Sequence, residues 1–166
     1  MDIKTARQRF ISRWGELGSS WGICKTMAQV HALLLISSRP LCTDEIMKEL
    51  NISRGNACMN LKSLHEWGLI YKSCKDGKRR EFYTAEKDMY KVFKQIVLQR
   101  KKQELEPLLE LLEECSAVEE KCRESVEFCQ VVKDIKLFSS KTDRTIDTLF
   151  NTNPDWFLGS FLRMIR

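Results

Sequence analysis

Apolar residues return at three- and four-residue steps through the first seventeen positions, at Ile3, Ala6, Phe10, Trp14 and Leu17. That spacing lays one apolar stripe along an amphipathic helix, and Gly18 is the expected stop. The next segment, "GICKTMAQVHALLLISS", is apolar nearly all round and predicts a buried helix broken by Pro40. In "CTDEIMKELN", Thr43 is the expected N-cap, acids fill the first turn, and Ile46, Met47 and Leu50 face inward. Asn51 and Ile52 leave room for a short turn, and Ser53 caps a further helix whose stripe is Ala57, Leu61 and Leu64. Two short helices joined by about three residues make a helix-turn-helix. After Gly68 the period changes: "LIYKSC" and "EFYTAE" read as two strands around an Asp76-Gly77 turn, a β-hairpin wing.

From Glu86 the pattern is helical for some fifty residues, interrupted by Pro107, which either kinks one helix or opens a second. Leu108, Leu111, Cys115, Val118, Cys122, Ser125, Cys129 and Val132 repeat at alternating three- and four-residue steps, a seam that calls for another helix. Two shorter helical stretches follow, "TDRTIDTLFN" and "PDWFLGSFLRMIR", with Thr142 and Asn153 as expected caps. Trp156, Phe157, Phe161, Leu162 and Ile165 are too apolar for a free tail and are expected to dock. The fold class is therefore mainly α with a small β-hairpin wing: a winged helix-turn-helix followed by long C-terminal helices.

At 43% hydrophobic and 31% charged, the 166 residues can bury a core. No apolar run approaches the roughly 20 residues of a membrane span, "ALLLI" at 32–36 being too short, and no secretory stretch follows "MDIKTARQRF", so a cytoplasmic protein without membrane attachment is expected. Charge is uneven. Residues 1–85 carry 14 Lys/Arg against 8 Asp/Glu, and residues 86–166 carry 14 against 15. Within 54–80 the tally is 7 against 2, so basic charge gathers on the helix-turn-helix and wing, as a phosphate-binding surface needs.

The outer face of the helix after Ser53 changes this picture most. With Ala57, Leu61 and Leu64 inward, Gly55, Met59 and Lys62 point away. Gly55 costs such a helix roughly 1 kcal/mol relative to Ala, but it permits close approach to phosphates or base edges. Arg54 can reach a strand, Asn56 and Asn60 can pair with adenine or phosphate, and Met59 can touch a thymine methyl. Lys75, Lys78, Arg79 and Arg80 cluster on the wing, where long cations suit the minor groove or its phosphates. The expected contacts with double-stranded DNA are thus Ser53, Arg54, Gly55, Asn56, Met59, Asn60, Lys62, Lys75, Lys78, Arg79 and Arg80. The rival from another class is a winged-helix module that binds protein and not DNA, against which the four wing cations argue.

"WGICKTMAQVHALLLIS", "PLCTDEIMKELNISRGNACMNLKSLHEWGLI" and "KDGKRREFYTAEKD" resemble the winged-helix core of the MarR superfamily, and "LNISRGNACMNLKSLHEWGLI" is most similar to its GbsR branch. The resemblance covers roughly residues 14–100. It implies a homodimeric transcriptional regulator on a pseudo-palindromic operator, dimerisation through N- and C-terminal helices, and a small-molecule effector bound between those helices and the DNA-binding lobe. Under it the chain divides into an N-terminal helix contributing to dimerisation (1–22), a DNA-binding winged helix (23–86) and a helical dimerisation region (87–166). The dimer-forming side chains are then Phe10, Trp14, Leu108, Leu111, Cys115, Val118, Cys122, Cys129, Phe157 and Phe161.

Seven cysteines, an odd number at wide spacing, with no CxxC pair and only His31 and His65 beside them, predict neither a disulfide framework nor a zinc site. Cys115, Cys122 and Cys129 lie about 10.5 Å apart on one straight helix, too far for a shared metal, and read foremost as small residues in a tight seam. One of them meeting its mate across a two-fold axis is the thiol-sensing alternative. Trp14, Trp21, Trp67 and Trp156 are core candidates first and a cage for a quaternary ammonium effector second. Nothing in the pattern predicts a catalytic group, a cofactor or a metal. Glu113-Glu114 and Glu119-Glu120 read as solvated helix faces.

Overall fold

The computed structural model describes residues 1–74, 80–118 and 122–151, and it divides into two compact units, 1–95 and 96–166. In the first, α1 (Ile3–Ser20) starts at Asp2, whose Oδ1 accepts from Thr5 N–H at 2.9 Å. It runs past Gly18, contrary to the expected stop. Gly18 is buried there because a Cβ would lie 2.5 Å from that of Ala28, so the glycine lets α1 and α2 approach. The helix ends instead at Trp21, before Gly22 adopts a left-handed φ of 76°.

Helix α2 (Lys25–Leu35) is buried nearly all round, from Met27 to Leu34, as its composition predicts. Strand β1 (Leu41–Cys42), too short to show a period, pairs antiparallel with β3 (Glu81–Ala85). Because β1 runs directly into α3 (Thr43–Leu50), the N-cap is Cys42, one residue before the expected Thr43, and the Glu45 carboxylate accepts its N–H at 2.8 Å. Asn51, at φ 51°, makes the left-handed turn into α4 (Arg54–Glu66). There Ser53 is the cap, its hydroxyl accepting from Asn56 N–H at 3.3 Å. Gly68, at φ 69°, turns the chain into β2 (Ile70–Cys74), which pairs with β3 from Ile70↔Ala85 to Cys74↔Glu81. The sheet order is β1-β3-β2. Val30, Leu33, Leu34, Ile46, Ala57, Leu61, Leu64 and Ile70 form the core on which α3, α4 and the sheet rest.

Helix α5 (Met89–Arg100) leads into a wide π turn, Lys101–Leu105. Pro107 stands in the first turn of α6 (Glu106–Cys115), which settles the alternative left by the sequence. Its ring supplies no N–H and crowds the carbonyl of Gln103, which lies within the widened turn. Helix α6 stops at Ser116, whose N–H and Oγ both bond to Leu112 O, and α7 (Arg123–Asn151) begins afresh. The expected seam from Leu108 to Val132 is therefore not one helix. Its two halves sit on α6 and α7, which pack on each other around Leu112, Cys129 and Val132. Thr142 lies inside α7, its hydroxyl donating to Phe138 O at 3.0 Å, and caps nothing. Asn153, Trp156, Phe157, Phe161, Leu162 and Ile165 fall outside the described residues.

Candidate nucleic-acid interface

Helix α4 presents two unlike faces. Ala57, Leu61 and Leu64 are sealed against the core, while Ser53, Arg54, Gly55, Met59 and Lys62 are exposed, Met59 by 61%. A Cβ on Gly55 would meet nothing within 4 Å, so no packing within the chain requires glycine there. Asn56 is half-buried. Asn60, expected to reach DNA, is only 3% exposed, and its Nδ2 donates to Asn56 O at 2.8 Å and to Asn56 Oδ1 at 2.6 Å. Three residues after Ala57 and four before Leu64, it belongs to the buried stripe, and its amide is spent inside the helix. Asn60 is thus a structural residue of α4 and not part of its outer face.

Of the four cations expected on the wing, one is described. Lys75, Lys78 and Arg79 lie outside the described residues; Arg80, at the start of the returning strand, is exposed. Its guanidinium donates to Asp44 Oδ2 at 2.9 Å, and Arg54 donates to Asp44 Oδ1 at 2.5 Å. One carboxylate in the first turn of α3 thus joins the start of α4 to the base of the wing. Beside it, Arg39 (first) and the Cys42 N–H hold the Glu45 carboxyl down to about 2. On the other flank Lys72 pairs with Glu81 across the hairpin at 2.5 Å. Burial, and then a bond to Glu81 at 2.7 Å, push the Tyr83 hydroxyl up to about 12, so it is a neutral donor under the helix. No group of His, Cys, Asp and Glu suited to a metal occurs among the described residues, and no helix there is long and apolar enough to cross a membrane.

A sequence pattern of the MarR family matches residues 26–80, which run from α2 to the wing. Over that span the chain is similar to a MarR-family winged helix. The chain is also similar to the HTH-type transcriptional repressor GbsR of Bacillus subtilis (strain 168), at 24% identity over 127 residues, covering 75% of this chain and 70% of that protein. A solved structure described as a transcriptional regulator superposes on 89% of this chain and 99% of its own, with a TM-score of 0.57 and 14% identity, a likeness of fold.

The side chains expected at a dimer interface are scattered. Phe10 stacks on Trp14 at 5.4 Å, and Trp14 tilts over His31 at 6.4 Å. Leu108, Leu111 and Val118 are exposed. Cys115 is half-buried at the end of α6, Cys122 is exposed before α7, and Cys129 is buried with its thiol directed at Val118 O, 3.5 Å away. The three cysteines therefore do not line one face. Phe128, Val131, Ile135 and Phe138 of α7 do, and all four are exposed. Their three- and four-residue steps were open to sequence reading, but a register carried on from Leu108 through the break hides them. A cavity of about 320 Å³ in the first unit is lined by Arg7, Ser37, Arg39, Glu45, Lys48 and Glu49 among others, a polar set with no tryptophan. The tryptophan cage gains no support from it.

Proposed function

We propose that this protein is a sequence-specific DNA-binding transcriptional regulator that acts as a homodimer on a pseudo-palindromic operator and responds to a small-molecule effector. The observation that carries this reading is the outer face of α4. It is a helix tied to the core along one stripe, with an exposed glycine, methionine and two cations along the other, and Arg80 joined to its first turn through Asp44. A major-groove reader needs that division. Similarity to a MarR-family pattern and to a named repressor supports it. Ser53, Arg54 and Lys62 are the phosphate-positioning groups, Asn56 and Met59 the base-facing ones, and Lys75, Lys78, Arg79 and Arg80 the wing contacts. In the dimer, two α4 helices lie roughly 34 Å apart in successive major grooves. The apolar stripe of α7 supplies the surface for the second copy.

Selection of bound duplexes from a random pool tests the reading. The expected product is an inverted repeat with half-sites about one helical turn apart. Recovery of no preferred sequence, together with no salt-dependent binding to any duplex, would leave the protein-binding winged helix as the better account. Replacing Lys78, Arg79 and Arg80 with Ala should weaken binding to every duplex and lower the salt slope by roughly 2 to 3, at about 0.9 for each phosphate no longer neutralised. An unchanged slope would remove the wing from the interface.

A further inference from the structure

Asp44 is the one described carboxylate that bridges two of the cations assigned to the DNA-facing surface. It sits in the first turn of α3, ten residues before Arg54 and thirty-six before Arg80, and gives one oxygen to each, at 2.5 Å and 2.9 Å. All three side chains are half exposed or more, so the cluster borders solvent and is not a buried structural pair. Nothing about folding stability requires it, since exposed ion pairs contribute little. Its effect on the surface charge is larger. Two guanidiniums that would present +2 present +1 with Asp44 between them, at the place where the recognition helix meets the wing.

Each guanidinium carries five N–H donors and gives one to Asp44, so both retain donors for a phosphate. The carboxylate therefore does two things at once. It fixes the direction of Arg54 and Arg80 relative to each other, and it offsets part of their attraction for any polyanion. Loose cations favour all duplexes alike, because phosphate contact is independent of sequence. Fixed cations favour a duplex whose phosphates fall where they already point.

We infer that Asp44 is a specificity-setting positioning residue: by clamping Arg54 to Arg80 it holds down affinity for DNA at large and lets the α4 face choose the sequence. The inference rests on the DNA-binding reading above. Its sequence signal is slight, an acid in a first helical turn being ordinarily a favourable partner for the helix dipole and nothing more.

The experiment compares wild type, Asp44→Asn and Asp44→Glu, full length, on a duplex selected from the random pool and on a scrambled duplex of the same composition, across a salt series. Thermal melting accompanies each variant as a check on folding. For Asp44→Asn the expected result is several-fold tighter binding to the scrambled duplex, a salt slope steeper by up to about 1, and a smaller ratio between the two duplexes. Asp44→Glu keeps the charge and should restore the wild-type slope. Wild type that binds neither duplex would overturn the DNA-binding reading and this inference with it. Wild type that binds while Asp44→Asn leaves the scrambled duplex and the slope unchanged, or weakens both duplexes equally, would overturn the inference alone.

Discussion

The first unit closes over its apolar side chains, whereas the second leaves a row of them in solvent. Along α2, seven of eleven residues are buried, and the faces of α3 and α4 that point at it are buried too. Along α7, with 29 residues, only Cys129, Val132, Ser139 and Phe150 are buried. Phe128, Val131, Ile135 and Phe138 are exposed, Phe138 by 73%. Both units obey the same helical periodicity, so the difference lies in what each stripe finds. The stripes of the first unit converge on one another across a helix-turn-helix and a small sheet. Helix α7 carries two stripes roughly 100° apart, one that packs on α6 and one left uncovered among the described residues. A second apolar face of that length is the mark of a helix made for another helix. The first unit has its own exposed apolar row on α1, where Ile3, Phe10 and Leu17 stand seven apart.

The largest expected effect comes from charging that second stripe. A buried Val or Phe is worth about 1.5–3 kcal/mol, and each counts twice in a two-fold dimer. Val131→Asp with Phe138→Asp should therefore weaken self-association on the order of 10⁴-fold, read by sedimentation equilibrium, while amide exchange of the first unit stays as it was. A double variant that remains dimeric would place the interface elsewhere, with the exposed face of α1 the next to test.

The same contrast explains which features were legible in the sequence. Ser53 and Gly68 are local signals, and the elements they bound stand where the pattern places them, as do the two strands of the hairpin. Strand β1 was not legible, because two residues carry no period and its partner lies forty positions on. Its presence moved the cap of α3 from Thr43 to Cys42. Gly18 was legible as a glycine but not as a point of close approach, since Ala28 had to be placed opposite it first. Asn60 shows a different fault: its spacing from Ala57 and Leu64 already put it on the buried stripe, and its polar character outweighed that arithmetic. In the second unit, the break after Cys115 depends on Ser116 bonding back to Leu112. An unbroken heptad drawn across it ran one seam over what are two helices.

Acid should separate the two units next. His31 is buried in α2 with no partner for Nε2, and burial pushes its imidazole down to about 4 from an ordinary 6.5. The folded form thus prefers it neutral. The stability this maintains is complete above pH 6.5 and is lost as pH falls toward 4, at about 1.4 kcal/mol for each pH unit. Glu45 acts in a lower window, since its contribution is present above 4.5 and is lost only as pH falls through about 2. The chain's other histidine, His65, is exposed and belongs to the same unit, so the second unit has no histidine. Between pH 6.5 and 4.5, amide exchange should therefore quicken in α1 and α2 before α6 and α7, and His31→Leu should remove that dependence. Simultaneous loosening of both units, or an unchanged profile in His31→Leu, would show that another group controls the first.

The smallest effect concerns Gly55, and it bears most directly on what the outer face of α4 is for. The open space around a Cβ there means that Gly55→Ala relieves a poor helix former without creating a clash. The free protein should gain roughly 0.5–1 kcal/mol, seen as a small rise in melting temperature. On a surface with no partner, that gain would be the whole consequence. On a surface that approaches phosphates or base edges, the added methyl group occupies the space they need, so the stabilised variant should bind its selected duplex less well. Opposite signs in the two measurements distinguish a contact face from a merely solvated one. A variant that is both more stable and equally good at binding DNA would mean that α4 meets the groove farther along, around Met59 and Lys62.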